Sequence, residues 1–169
     1  MDTITAIKTR RSIRKYTHES ISDEHIIEII RCGMYAPSAG NEQPWHFLII
    51  KNKEALKQIE QVHEHAKMMK EAYAGILVCF DPSLERHHNM AIQDCAAATQ
   101  NVLLAIHDLG YGGCWLGVYP REHRMKGIRK LLNIPDSIIP FSLIALGVSD
   151  EQKHQSDRFK KNRIHYEEW

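Results

Sequence analysis

Cysteine is scarce in this chain, with four among 169 residues, and no two of them form a CxxC pair. Cys32, Cys79, Cys95 and Cys114 each lie in an apolar run, so they read as buried free thiols. That usage fits a reducing compartment, and a cytoplasmic location is expected. No apolar stretch approaches the ~20 residues needed to cross a bilayer. The N-terminal Met1-Asp2-Thr3-Ile4-Thr5 has no basic segment followed by an apolar core, so no signal peptide is expected. Excess charge is lacking too: the formal net charge of +1 provides no global field to recruit nucleic acid or a membrane surface. Missing as well are the GxGxxG dinucleotide fingerprint, the GxxxxGK[ST] phosphate loop, the GxSxG nucleophile elbow and the HExxH zinc motif. Eleven histidines are present, but His63 and His65 are two apart and His87 and His88 adjacent, which suits no helical metal site. No metal is expected.

What is present is an ordinary globular composition, 43% hydrophobic and 25% charged, at the size of one domain. The first helix is predicted over Asp2 to about Arg10, with Ile4 and Ile7 facing inward. A second follows Ser22 as N-cap, with Asp23 and Glu24 in its first turn, and ends before Pro37. His46–Ile50 and Gly75–Phe80 read as buried strands, and Asn52 caps a helix between them that runs to about His65. Residues 66–72 continue helically. The longest helix is expected over 89–109, closed by Gly110. Strand Cys114–Val118, helix Arg121–Leu132 and strand Ser142–Val148 complete the series. Residues 150–163 are almost all polar, then Ile164, Tyr166 and Trp169 follow, a tail suited to docking on a partner subunit. No repeat or linker is found, so 1–169 reads as one α+β domain.

Three segments carry chemistry. Arg10, Arg11 and Arg14 flank Ser12 and put three guanidinium groups and a hydroxyl into five residues, a set that matches phosphate oxygens; alone, it is also readable as a solvated basic turn. Pro37, Ser38, Ala39, Gly40, Asn41, Glu42, Gln43, Pro44 and Trp45 form a stiff loop of amides and hydroxyls bracketed by prolines, able to meet the polar edge of a flavin; alone, it is also readable as an ordinary interhelix loop. The glycines of Gly110–Gly117 either admit a ligand close to the backbone or make a helix cap and tight turn. Asp94 falls in an apolar helical stretch and is read as a structural hydrogen-bond acceptor. A ligand with a phosphate at one end and a flat, hydrogen-bonding ring at the other would suit this set, and flavin mononucleotide (FMN) has that anatomy.

Together, in order and spacing, these segments resemble the FMN-dependent nitroreductase family: Arg10–Arg14, Pro37–Trp45, the Gln93–Leu109 helix, Gly110–Gly117 and the closing Arg158 with Ile164-His165-Tyr166. The likeness covers nearly the whole chain. It implies a mostly antiparallel central sheet flanked by helices, in an intertwined homodimer with FMN at the interface. By likeness Arg10, Arg11, Ser12 and Arg14 hold the phosphate and ribityl chain. Pro37, Ser38, Ala39, Asn41 and Gln43 approach the flavin from the other subunit, and Leu116 and Gly117 lie along the ring. Arg158, or else Lys160 or Arg163, returns to the phosphate. The position where some members offer an asparagine to the ribityl chain falls near His65. The chain is shorter than the larger members and lacks room for their extra helices, so their acceptors do not transfer. The implied activity is a two-step shuttle from NADH or NADPH through FMN to a nitroaromatic, quinone or similar acceptor. No side-chain nucleophile is required. A non-catalytic FMN carrier or sensor, or an enzyme using flavin for dehalogenation or flavin breakdown, remains the alternative.

Overall fold

The computed structural model describes Met1–Trp169, the whole chain. Helices α1 (Thr3–Thr9), α2 (Asp23–Met34), α3 (Lys53–Val62), α4 (Ala91–Asp108) and α5 (Glu122–Leu132) surround four strands. The strands are β1 (Trp45–Ile50), β2 (Ala74–Phe80), β3 (Gly112–Gly117) and β4 (Ile139–Gly147). Every pairing is antiparallel, and the sheet order is β1-β2-β4-β3. The crossed order leaves β3 on an edge.

The sheet is covered on both faces. Ile76, Val78, Ile144 and Leu146 pack against Ile26, Ile29 and Ile30 of α2 and Cys95, Ala98, Val102 and Ile106 of α4. Leu77, Cys79, Leu143 and Ala145 point the other way, onto Leu56 and Ile59 of α3 and Ile128 of α5. Burial on both faces is why β2 and β4 read as continuous apolar runs rather than alternating ones. The caps form as the sequence implies: Ser22 Oγ accepts from His25 N at 3.2 Å, and Asn52 Oδ1 accepts from Ala55 N at 2.9 Å.

Four expectations need correction. Ile4 and Ile7 face outward, 59% and 52% exposed, while Ala6 turns inward. A helix of two turns can lay one residue against α4, and its small side chain allows the close approach; Thr9 and the N-terminus fix the ends, bonding His107 Nε2 at 2.8 Å and Asp108 Oδ1 at 2.7 Å. Residues 66–72 form only a short 3-10 turn, Lys67–Lys70, because His63 leaves helical geometry at φ −146°. Strand β3 begins two residues earlier than expected, at Gly112, because its pairing with Gly147 extends the ladder. Helix α4 begins at Ala91, since Asn89 has a left-handed φ of 67°.

The segment after α1 crosses the ends of β3 and β4. Ser12 makes a parallel bridge to Gly113, Ile13 N donates to Gly113 O at 3.0 Å, and Tyr16 bridges to Ser149. Glycine permits the crossing. A Cβ on Gly112 would sit 2.8 Å from Ile13 Cγ2, and one on Gly147 would sit 2.6 Å from Tyr16 Cδ1. No helix of the structure is long and apolar enough to cross a membrane.

Candidate functional site

Docking of Ser12 on Gly113 places the arginines at the start of β3. Arg11 turns back on its own chain: Nη1 donates to Lys8 O and Arg10 O, both at 2.8 Å, and Nε donates to His154 O at 3.3 Å. Two guanidinium nitrogens, Arg10 Nε and Arg11 Nη2, are buried without any hydrogen-bond partner. Burial first, then the positive charges of Arg158 and Arg11, push the Arg10 pKa down from its usual value. No carboxylate forms an ion pair with Arg10, Arg11 or Arg158. Buried guanidinium donors are normally paired, so the unpaired Arg10 and Arg11, beside the exposed Arg158, make the arrangement of an anion site. A cleft of 750 Å³ opens here, lined by Lys8, Arg11, Ser156, Asp157 and Arg158 among others. Lys160 and Arg163 do not line it. Arg14 is exposed, and its backbone N is held by Glu151 Oε1 at 2.6 Å.

The loop after Pro37 is held from behind. Ser38 Oγ accepts from Gln43 N at 3.1 Å, and Gln43 Nε2 donates to Asn41 Oδ1 at 2.8 Å. Gly40, Asn41 and Gln43 have positive φ of 55°, 55° and 50°. For the two non-glycine residues this conformation is uncommon and needs surrounding support. Glu42 supplies some of it: its side chain is 1% exposed and accepts from His87 N at 3.1 Å and contacts His87 Nδ1. Asp94 supplies the rest, Oδ1 accepting from Ala39 N at 3.0 Å. The structural role read for Asp94 is what the geometry gives; burial raises its carboxyl pKa, and Oδ2 has no partner.

At the far end of β3, the glycine-rich run separates into two jobs. Gly110 caps α4 at φ 82°, Gly112 admits Ile13, and a Cβ on Gly113 would press Ile106 at 3.2 Å. Gly117 has nothing within 4 Å of where a Cβ would lie; Gly110 is as open, but its positive φ is spent on closing the helix. Leu116 beside it is buried. The Gly117 carbonyl is held twice, by Arg124 Nη1 at 2.7 Å and His63 Nε2 at 3.0 Å. Arg124 is itself oriented by Glu64, which lies 3.2 Å from Arg124 Nε and also bonds Nη2. His65, two residues past His63, is exposed.

The chain thus brings Arg10, Arg11, Ser12 and Arg158 to one end of β3 and Leu116 and Gly117 to the other, about 13 Å away at a strand's rise per residue. The ligand capacity read into the whole Gly110–Gly117 run narrows to Gly117. Sequence reading missed His63, Arg124, Glu42 and His87. His63 stands just past a helix end, so no periodicity marks it, and the other three act over separations that no local motif spans.

The comparisons agree with this architecture. The family model described as "Nitroreductase family" matches residues 7–67 and 60–148. A protein of Archaeoglobus fulgidus with the provisional name NADH dehydrogenase/NAD(P)H nitroreductase is 50% identical over 167 residues, 96% of each chain. An FMN-dependent nitroreductase from Clostridium difficile superposes with a TM-score of 0.92 at 27% identity, covering 99% of this chain and 100% of that one. A provisionally named nitroreductase of Desulfovibrio desulfuricans, crystallised with FMN, gives 0.86 at 30% identity over 100% and 99% of the two chains. With the family model matched over residues 7–67 and 60–148 and a relative 50% identical over 96% of the chain, this chain belongs to the nitroreductase family.

Proposed function

We propose that this chain is an FMN-dependent NAD(P)H oxidoreductase that works as a homodimer. The observation that carries the reading is the pair of buried, unpartnered guanidinium nitrogens on Arg10 and Arg11, at the head of the strand that ends in Gly117. A phosphate would satisfy both and neutralise the repulsion with Arg158. Arg10, Arg11 and Arg158 hold that phosphate in this reading, because Arg158 shares the cleft with Arg11. Ser12 and Arg14 serve the ribityl side, and Leu116 and Gly117 lie along the ring. Pro37, Ser38, Ala39, Asn41 and Gln43 of a second copy bring amide and hydroxyl groups to the ring's polar edge.

Bound FMN would supply the redox chemistry, taking hydride from NADH or NADPH and passing electrons to a nitroaromatic, quinone or similar acceptor. The side chains bind and orient, and Arg14 offers positive charge toward the ring as it is reduced. Names among the relatives support both cofactors: FMN reductase (NADPH) and FMN reductase [NAD(P)H] of Bacillus subtilis match over 98% and 99% of this chain at 21% and 23% identity.

Exposed apolar groups support the homodimer. Tyr35 is 82% exposed and Tyr166 81%, with Ile4, Ile7, Phe159 and Trp169 also outside. Residues 150–169 dock on the partner in this reading. Four unpaired cysteines support a cytoplasmic setting. The test is anaerobic: the purified dimer should bind one FMN per chain, turn yellow, and bleach when NADH or NADPH is added. Material that binds no FMN overturns the proposal.

A further inference from the structure

His63 is 1% exposed, the one buried histidine of the chain, and no group of potential metal ligands surrounds it. Both of its ring nitrogens are used. Nε2 lies 3.0 Å from Gly117 O, and Nδ1 accepts from His65 N at 3.2 Å. A backbone N–H donates only to an unprotonated nitrogen, so Nδ1 is bare and the proton is on Nε2. One neutral imidazole therefore ties two separate backbone segments: the end of β3 and the turn that carries His65. The first of these is an edge that the proposed function places along the flavin ring.

We propose that His63 is a positioning residue for the flavin, fixing the Gly117 peptide against the ring by tying it to the turn that carries His65. The inference rests on the proposed function. It follows from the topology: α3 and β3 are far apart in sequence, and nothing else bonds the His65 backbone to the β3 end. The charged groups around it are Arg124 from α5, which shares the Gly117 oxygen, and Glu64, which binds Arg124 and lies 3.5 Å from His123 Nε2 and 3.8 Å from His65 Nε2. Arg124 also spans from the Gly117 carbonyl to the turn, through the Glu64 side chain, but only His63 meets the turn's backbone, at His65 N. A proton gained at Nδ1 breaks the His65 contact while leaving the Gly117 contact in place.

The test compares wild type with His63→Ala, His63→Gln and His63→Asn. Gln keeps a donor near the Nε2 position, and Asn keeps an acceptor near the Nδ1 position. FMN is titrated into each apoprotein, with visible circular dichroism of the bound flavin and far-ultraviolet circular dichroism of the fold. His63→Ala should lose roughly 5- to 50-fold in FMN affinity and change the visible signal. Each of the other two should recover part of the affinity. If Ala does not fold, a loss of affinity in both Gln and Asn, with native far-ultraviolet spectra, supports the proposal. Equal affinities and superimposable visible spectra, with only melting temperatures changed, reduce His63 to a helix stop and overturn it. Wild type that binds no FMN removes the functional reading itself; wild type that binds while every variant binds equally removes only this inference.

Discussion

The Asp94 carboxylate lies 3.0 Å from the Ala39 amide nitrogen, joining the first turn of α4 to a loop fifty-five residues earlier. The bond matters because Gly40 and Asn41, just after Ala39, hold left-handed conformations that do not sustain themselves. Asp94→Ala should release the loop and leave a part-buried N–H unpaired, at a cost of about 1–2 kcal/mol in denaturant unfolding. A loss below about 0.5 kcal/mol would show that the loop is held elsewhere.

The arginine cluster gives two effects of opposite sign. Arg10→Met removes a buried, unpartnered donor and relieves repulsion with Arg11 and Arg158, so the apoprotein should melt higher than wild type. The same change removes a charge-assisted phosphate contact and should weaken FMN binding by roughly 10- to 150-fold. Calorimetry of the apoprotein and a fluorescence titration read the two separately. Lower apoprotein stability together with unchanged FMN affinity would contradict the assignment. Inorganic phosphate should also raise the melting temperature of wild-type apoprotein more than that of Arg10→Met.

Glycine substitutions should divide by position along β3. Gly112→Ala forces a methyl group to within 2.8 Å of Ile13 Cγ2 and should cost about 1–3 kcal/mol. Gly117→Ala meets nothing within 4 Å and should leave the apoprotein's melting temperature near wild type while weakening FMN binding. Equal effects on stability at the two positions would refute this division.

Acid sensitivity should come from two histidines. Burial, then Arg124, lowers the pKa of His63, and burial, then Arg10, lowers that of His107; the usual value for each is 6.5. A base with a depressed folded pKa binds fewer protons folded than unfolded, so stability rises with pH through that window. Stability should therefore decline as pH drops below about 6.5 toward the folded values. His107→Gln and His63→Gln should each flatten this acid limb, measured as urea midpoint against pH. Unchanged slopes in both would mean other groups set the limb.

Much of the framework was legible because it is local or periodic. Ser22 and Asn52 announce their helices, and the unbroken apolar runs of β2 and β4 announce burial on two faces. The site was legible only as segments. Nothing in RRSIR shows that Ser12 would pair with Gly113, and spacing alone could not tell that Gly112 and Gly113 are occupied by packing while Gly117 is free. Ile4 and Ile7 misled because their periodicity is right for a buried face, but a single protomer has nothing to cover them. His63 stayed hidden because its partners lie at the end of a strand fifty-four residues away.

The placement of β3 between the guanidinium cluster and Gly117 makes that strand a ruler. Backbone rise is inelastic, so the distance between the two grips is set by residue count at about 3.3 Å per step. A molecule with one phosphate and one ring can engage both grips at once. A dinucleotide would overshoot one of them, and a free ring system would reach only one. Under the proposed function the edge strand would set the reach between phosphate and ring, and inserting two residues into it would change that reach by about 7 Å.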